Sequence, residues 1–142
     1  MNSNSVNPHV GQAFQDSVMK VAEQYFQKEF QQEIGVEIGN PAKPHKFDVV
    51  SADKKIIIEC KCYTWTEGGN VPSAKMATLD EAILYMRNVS YPATKIIAMK
   101  KDVHPRRNIT LADYFCDKKA YLMDDIQIWE FDDSNNYRIV KG

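Results

Sequence analysis

The sequence is short of several features that would fix its class at once. It has 18 Lys and Arg against 19 Asp and Glu, a formal net charge of −1. No global field therefore drives it onto a polyanion, and any nucleic-acid contact has to come from a local patch. Only three of its 142 residues are cysteine, too few and too odd for a disulfide framework. Cys60 and Cys62 fall two apart on one predicted strand face, with Cys116 distant, which is not zinc-finger spacing. All three read as reduced core residues of a cytoplasmic protein. No apolar run approaches the ~20 residues of a membrane-spanning helix, so no membrane partner is expected. The opening Met1-Asn2-Ser3-Asn4-Ser5 lacks the charged and apolar parts of a secretion signal, and residues 1–6 read as disordered. With no repeat, low-complexity tract or linker, residues 1–142 are expected to form one domain.

What is present is an ordinary globular composition, 44% apolar and 26% charged, and a legible order of elements. Asn7-Pro8 reads as an N-cap with Pro at the first helical position. The helix is expected to run to about Gln32, with Phe14, Val18, Val21 and Tyr25 on one face and Gln15 on its flank. Val36 and Ile38 alternate in a short strand ended by Gly39-Asn40-Pro41. Two β-rich runs, 46–50 and 56–62, flank a polar turn in the manner of a hairpin. A second helix follows over 73–89; Thr78 to Glu81 fits a capping box, so its regular part can begin at Thr78 with Lys75 in the entry turn. A strand over 94–99, a helix from Thr110 to about Ala120 and a hairpin over 126–131 and 137–140 complete the chain. Hairpins mixed with a β-helix-β crossover imply an α/β or α+β sandwich around a mixed sheet.

The central hairpin carries the chemistry. On its second strand Ile56, Ile58, Cys60 and Cys62 share one face, while Ile57, Glu59 and Lys61 share the other. Three consecutive isoleucines predict a strand buried on both faces, and a buried Glu and Lys then need a reason. The plainer reading is a solvated edge strand with an ordinary ion pair. A turn centred between Asp53 and Lys54 sets Asp48 directly opposite Glu59, with Cβ atoms about 4.5–5.5 Å apart. Carboxylates so placed repel unless a cation or a neighbouring Lys offsets them. A slip of one residue would send them to opposite faces.

Phe47-Asp48, then Glu59-Cys60-Lys61 on the next strand, resembles the active-site hairpin of the PD-(D/E)XK nuclease superfamily, with Phe where the family name has Pro. Gly11-x-x-Phe14-Gln15 is similar to a first-helix Gly-x-x-Phe-Glu pattern of many members, with Gln in place of the acid. Glu23 and Glu29 are other helix-borne acids. The element order is similar to the restriction-endonuclease-like αβββαβ core over roughly residues 8–100, leaving a C-terminal helix and hairpin as an elaboration. The resemblance implies metal-dependent hydrolysis of DNA phosphodiester bonds. It implies that Asp48, Glu59 and the Cys60 backbone carbonyl hold Mg²⁺, for which Mn²⁺ can substitute. Lys61 would orient or deprotonate the attacking water, and Gln15 would hydrogen-bond a metal-bound water. It also implies a homodimer, since one small domain cuts one strand.

For contact with DNA the densest basic cluster is the candidate: Lys100, Lys101, Arg106 and Arg107, in a loop with His104 and Pro105. Lys75 is a further candidate. Tyr63 and Trp65, directly after the Glu-x-Lys strand, either stack on unpaired bases or cap the core. Two other readings stand beside the nuclease: a nuclease-like binding or assembly module with little catalysis, which Gln15 and the near-zero charge allow, and a structural protein in which Glu-x-Lys arose by chance.

Overall fold

The computed structural model describes residues 8–142, so Asn7 and the stretch read as disordered, 1–6, lie outside the described residues. The elements are α1 (Pro8–Phe26), β1 (Phe30–Ile38), β2 (Lys43–Ser51), β3 (Ile56–Lys61), α2 (Ser73–Arg87), β4 (Thr94–Lys100), α3 (Leu111–Lys119), β5 (Gln127–Phe131) and β6 (Tyr137–Lys141). The result is a mixed α/β architecture with a six-stranded sheet in the order β1-β2-β3-β4-β5-β6.

The β3–β4 and β4–β5 pairs are parallel and the other three antiparallel. Parallel neighbours need a crossover, which α2 and α3 supply. Successive right-handed crossovers in one direction leave both helices on one face. There Leu79, Ile83 and Met86 of α2 and Leu111 and Phe115 of α3 pack with Phe47, Val50, Ile57, Ile97 and Ile128. On the other face Val18, Val21 and Ala22 of α1 pack with Val49, Ile56, Ile58, Ile96 and Trp129. The centre of the sheet is thus covered twice, which is what three isoleucines in a row require: Ile56, Ile57 and Ile58 are 4%, 0% and 2% exposed.

The first helix is shorter, and the first strand longer, than the sequence predicts. α1 stops at Phe26 because Gln27 takes a left-handed φ of 54°, and the chain then enters β1 with Phe30 buried opposite Ser51. Gln, Lys and Glu are good helix formers, so propensity argues for continuing the helix; pairing with β2 overrides it. The second helix starts at Ser73. Thr78 is no cap: its hydroxyl donates to the Lys75 carbonyl at 2.7 Å inside the helix. At α3 the capping box is present: Thr110 Oγ1 accepts from Asp113 N, and the Asp113 carboxylate accepts from Thr110 N.

Because β3, β4 and β5 run parallel, their C-terminal ends lie together at one end of the sheet, at Lys61, Lys100 and Phe131. The loops 62–72 and 101–110 leave from that end, where open α/β sheets gather their ligands.

Candidate active site

The β2–β3 ladder pairs Val49 with Ile58 and Val50 with Ile57, the register that the turn predicts for Asp48 and Glu59. The ladder stops one step before that pair. Asp48 Oδ2 accepts from Cys60 N at 2.8 Å, and Glu59 Oε1 accepts from Asp48 N at 3.0 Å. The two carboxylates therefore take the backbone donors that strand pairing would use. The alternation of β2 breaks at the same place. Phe47 and Val50, three apart, pack in the α2/α3 layer, and Val49 between them packs against α1. Asp48 thus sits at a kink in the strand, held beside Glu59 by reciprocal side-chain-to-backbone bonds.

Burial makes this pair reluctant to ionise. Glu59 is 8% exposed. Its carboxyl is pushed up to about 8, first by burial and then by the Asp48 charge, with Lys61 pulling the other way. Asp48 is raised as well, by burial first and by Glu33; the Cys60 N–H and Lys61 oppose the shift. Lys61 Nζ stands 3.9 Å from Glu59 Oε2, its side chain 15% exposed. His45, three residues before Asp48, stacks on Tyr85 of α2 at 3.9 Å and is held below the usual imidazole value by burial, against the Asp48 charge.

Gln15 reaches the site from α1. It is 9% exposed, and the two protons of its Nε2 are shared among Gln32 Oε1 at 2.8 Å, Glu33 Oε2 at 3.0 Å and the Asp48 carbonyl at 3.2 Å. Its amide nitrogen thus ties the helix to β1 and to the kink. Glu33, which the sequence reading missed, lies on β1 between two residues that pair across from Val49 and Phe47, and so abreast of Asp48. Its φ of 56° marks an irregularity matching the one at Asp48. The signal was the β1–β2 register, hidden while 27–32 read as helix. Glu23 accepts from Phe30 N at 3.3 Å and Glu29 is exposed in the turn, so neither takes this place.

The remaining candidates divide. Trp65 needs a correction: it is 6% exposed, its indole N–H donates to the Asp102 carbonyl at 3.0 Å, and its ring packs on His104 and Tyr114. A ring buried in this way caps the core and offers no face to a base. Lys101, Arg106 and Arg107 are exposed and Lys100 half-buried. Among the described residues none of these four pairs with a carboxylate. Lys75 is half-buried in the first turn of α2. Among the described residues no helix is long and apolar enough to cross a membrane.

The donor set can be tested against Mg²⁺. Asp48 Oδ1 and Glu59 Oε2 are left over from the two backbone hydrogen bonds, and Oε2 already faces Lys61. Mg²⁺ is held by one or two carboxylates and keeps several waters, so this pair meets its minimum. Among the described residues no group of three or more His, Cys, Asp or Glu converges, which falls short of an all-protein cage. The Cys60 carbonyl follows Glu59 directly in the chain, and the Cys60 N–H is already bonded to Asp48.

No protein-family model matches the chain, and neither a curated protein nor a solved structure matches it significantly.

Proposed function

We propose that this protein is a metal-dependent DNA endonuclease of the PD-(D/E)XK type, built on a restriction-endonuclease-like fold. The observation that carries the reading is the convergence of Asp48, Glu59 and Lys61 at a strand kink, with two buried or half-buried carboxyls and one cation to offset them. Two carboxyls held above their ordinary values by burial, beside a specific charge partner, are the signature of a candidate functional site.

Asp48 and Glu59, with the Cys60 carbonyl, would hold Mg²⁺ or Mn²⁺. The bound ion supplies Lewis-acid polarisation of the phosphate and a more acidic water. The chain's own contribution is position and charge. Lys61, 3.9 Å from Glu59, orients the attacking water and offsets charge developing on the phosphate. Gln15 holds the Asp48 carbonyl and so fixes the kink from behind. The water oxygen bonds to phosphorus as the P–O3′ bond breaks. The water loses a proton and O3′ gains one, leaving a 5′-phosphate and a 3′-hydroxyl. A second copy of the chain would cut the other strand.

One observation favours a second reading. Each carboxylate already accepts from a backbone N–H, and among the described residues no third acidic ligand joins the pair, so hydrogen bonds of the hairpin itself hold the two side chains in place. A nuclease-like module that binds nucleic acid or assembles without cutting fits that feature. Incubation with plasmid, single-stranded and branched DNA, with Mg²⁺, Mn²⁺ or EDTA, separates the two. Metal-dependent nicking is expected; gel shifts without cleavage would select the module.

The basic loop gives a separate prediction. Replacing Arg106 and Arg107 by Ala should weaken binding to duplex DNA whatever its sequence. It should lower the slope of log K against log salt by about 0.9 per lost phosphate contact. An unchanged slope would return the loop to a solvated surface.

A further inference from the structure

We propose that His104 is a positioning residue that presents Arg106 and Arg107 to the nucleic-acid backbone by clasping two loops into one wall beside Lys61. The proposal rests on the reading of the basic loop as a phosphate contact. The 62–72 loop continues the strand that carries Lys61, and the 101–110 loop follows the neighbouring parallel strand. Their ends are joined by hydrogen bonds that span 35 to 38 residues of sequence.

His104 is the centre of that joint. It is 5% exposed in a loop that is otherwise largely exposed. Its Nδ1 accepts from Arg106 N at 3.0 Å and from Arg107 N at 3.1 Å. A ring nitrogen that accepts two backbone N–H groups carries no proton, so the proton sits on Nε2, which donates to the Gly69 carbonyl at 2.8 Å. Both nitrogens are thereby committed, one to each loop. Beside it Arg106 Nη2 donates to the Gly68 carbonyl at 2.8 Å, and Asp102 Oδ2 accepts from Trp65 N at 2.8 Å. Arg107 Nη2 lies 3.5 Å from Nε2, donor against donor, so the imidazole does not tie up this guanidinium. Gly69 completes the fit. It has a φ of 79°, and a Cβ there would stand 2.6 Å from Arg106 Nη2. The buried, doubly bonded histidine thus lies beneath two adjacent exposed arginines for which, among the described residues, no ion pair with a carboxylate is formed.

The test uses the full chain and duplex DNA as probe. Amide exchange is read without DNA, and the salt slope of binding with it, for wild type, His104→Phe, His104→Asn, Gly69→Ala and the Arg106→Ala/Arg107→Ala double variant. In His104→Phe the amides of Arg106 and Arg107 should exchange faster by up to about tenfold, as the loss of one hydrogen bond implies. Its salt slope should fall toward that of the double variant, by up to about 1.8 for two phosphate contacts, although both arginines remain. Gly69→Ala should do the same from the other loop, and remains informative if His104→Phe fails to fold. Asn still offers an acceptor to the two N–H groups and should restore most of both readouts. Added to the double variant, His104→Phe should change the slope no further. Unchanged exchange in His104→Phe and Gly69→Ala overturns the clasp. Faster exchange with a wild-type slope, where the double variant lowers it, makes His104 structural only and leaves the DNA contact standing. A slope that the double variant leaves unchanged overturns the phosphate reading of the loop, and the positioning role with it.

Discussion

Lys61→Ala should lower the rate of DNA cleavage by about 10²–10⁴, the usual cost of losing a positioned acid-base group. DNA binding at the basic loop should be unaffected, because Lys61 lies on β3 and the arginines follow β4. The fold should survive, since the Lys61 side chain is partly exposed and caps no core cluster. The loss should appear in kcat more than in KM, because the ammonium acts on charge that grows in the transition state. Lys61 is also the cation that pulls the Glu59 carboxyl back toward ionisation. Its removal should therefore raise the pH at which residual activity appears. Wild-type rates in the purified variant would remove Lys61 from the chemistry.

Glu59→Gln should stabilise the metal-free protein at pH 8 and change little at pH 5. In the fold this carboxyl titrates at about 8, against an ordinary 4.5. Between those values the folded state keeps a proton that the unfolded chain has released. Stability then falls as pH rises through the window, because ∂ΔG/∂pH follows protons bound in the unfolded state minus those bound in the native state. Below the window both states are protonated and the penalty vanishes. Gln carries no charge at either pH and keeps an oxygen to accept from Asp48 N. At about 1.4 kcal/mol per pH unit the expected gain at pH 8 is on the order of 4 kcal/mol. For a chain of this size that is roughly 8–16 °C in Tm. Paired melts at the two pH values in a chelating buffer measure it. A difference between variant and wild type that is the same at both pH values would mean that the fold does not hold the Glu59 carboxyl above its ordinary value.

The part of this site that a single strand pair determines is legible in the sequence alone. The turn between Ser51 and Lys55 sets the register, and three isoleucines set the burial of β3, so Asp48 and Glu59 follow. What escaped depends on partners distant in sequence. The N-terminal part of β1 was hidden by residues that favour helix, and Glu33 with it, because only pairing to β2 reveals that the strand carrying Val36 and Ile38 begins at Phe30. The kink at Asp48 was hidden because strict alternation assumes that backbone donors go to the ladder, whereas here two side chains take them. For Trp65 the sequence left a stacking face and a cap on the core both open, because Asp102, which holds it in the core, lies 37 residues away. The same holds for Gln15: its place on the flank of the first helix was readable, but its bond to the Asp48 carbonyl crosses 33 residues.

Asp48 and Glu59 as one metal centre is the claim on which the cleavage mechanism depends, and a thermal titration with Mg²⁺ or Mn²⁺ at pH 8 addresses it without DNA. Chelator-treated wild type, Asp48→Asn and Glu59→Gln are melted with and without the ion. An ion that binds only the folded state adds about 2.7 kcal/mol at a hundredfold excess over its Kd. Wild type should therefore gain roughly 5–10 °C in Tm. Both variants should lose most of that rise, since each removes one of two ligating charges. A wild type indifferent to both ions, or variants that rise as far as it does, would contradict the account and leave Asp48 and Glu59 as structural groups that close the end of a strand pair.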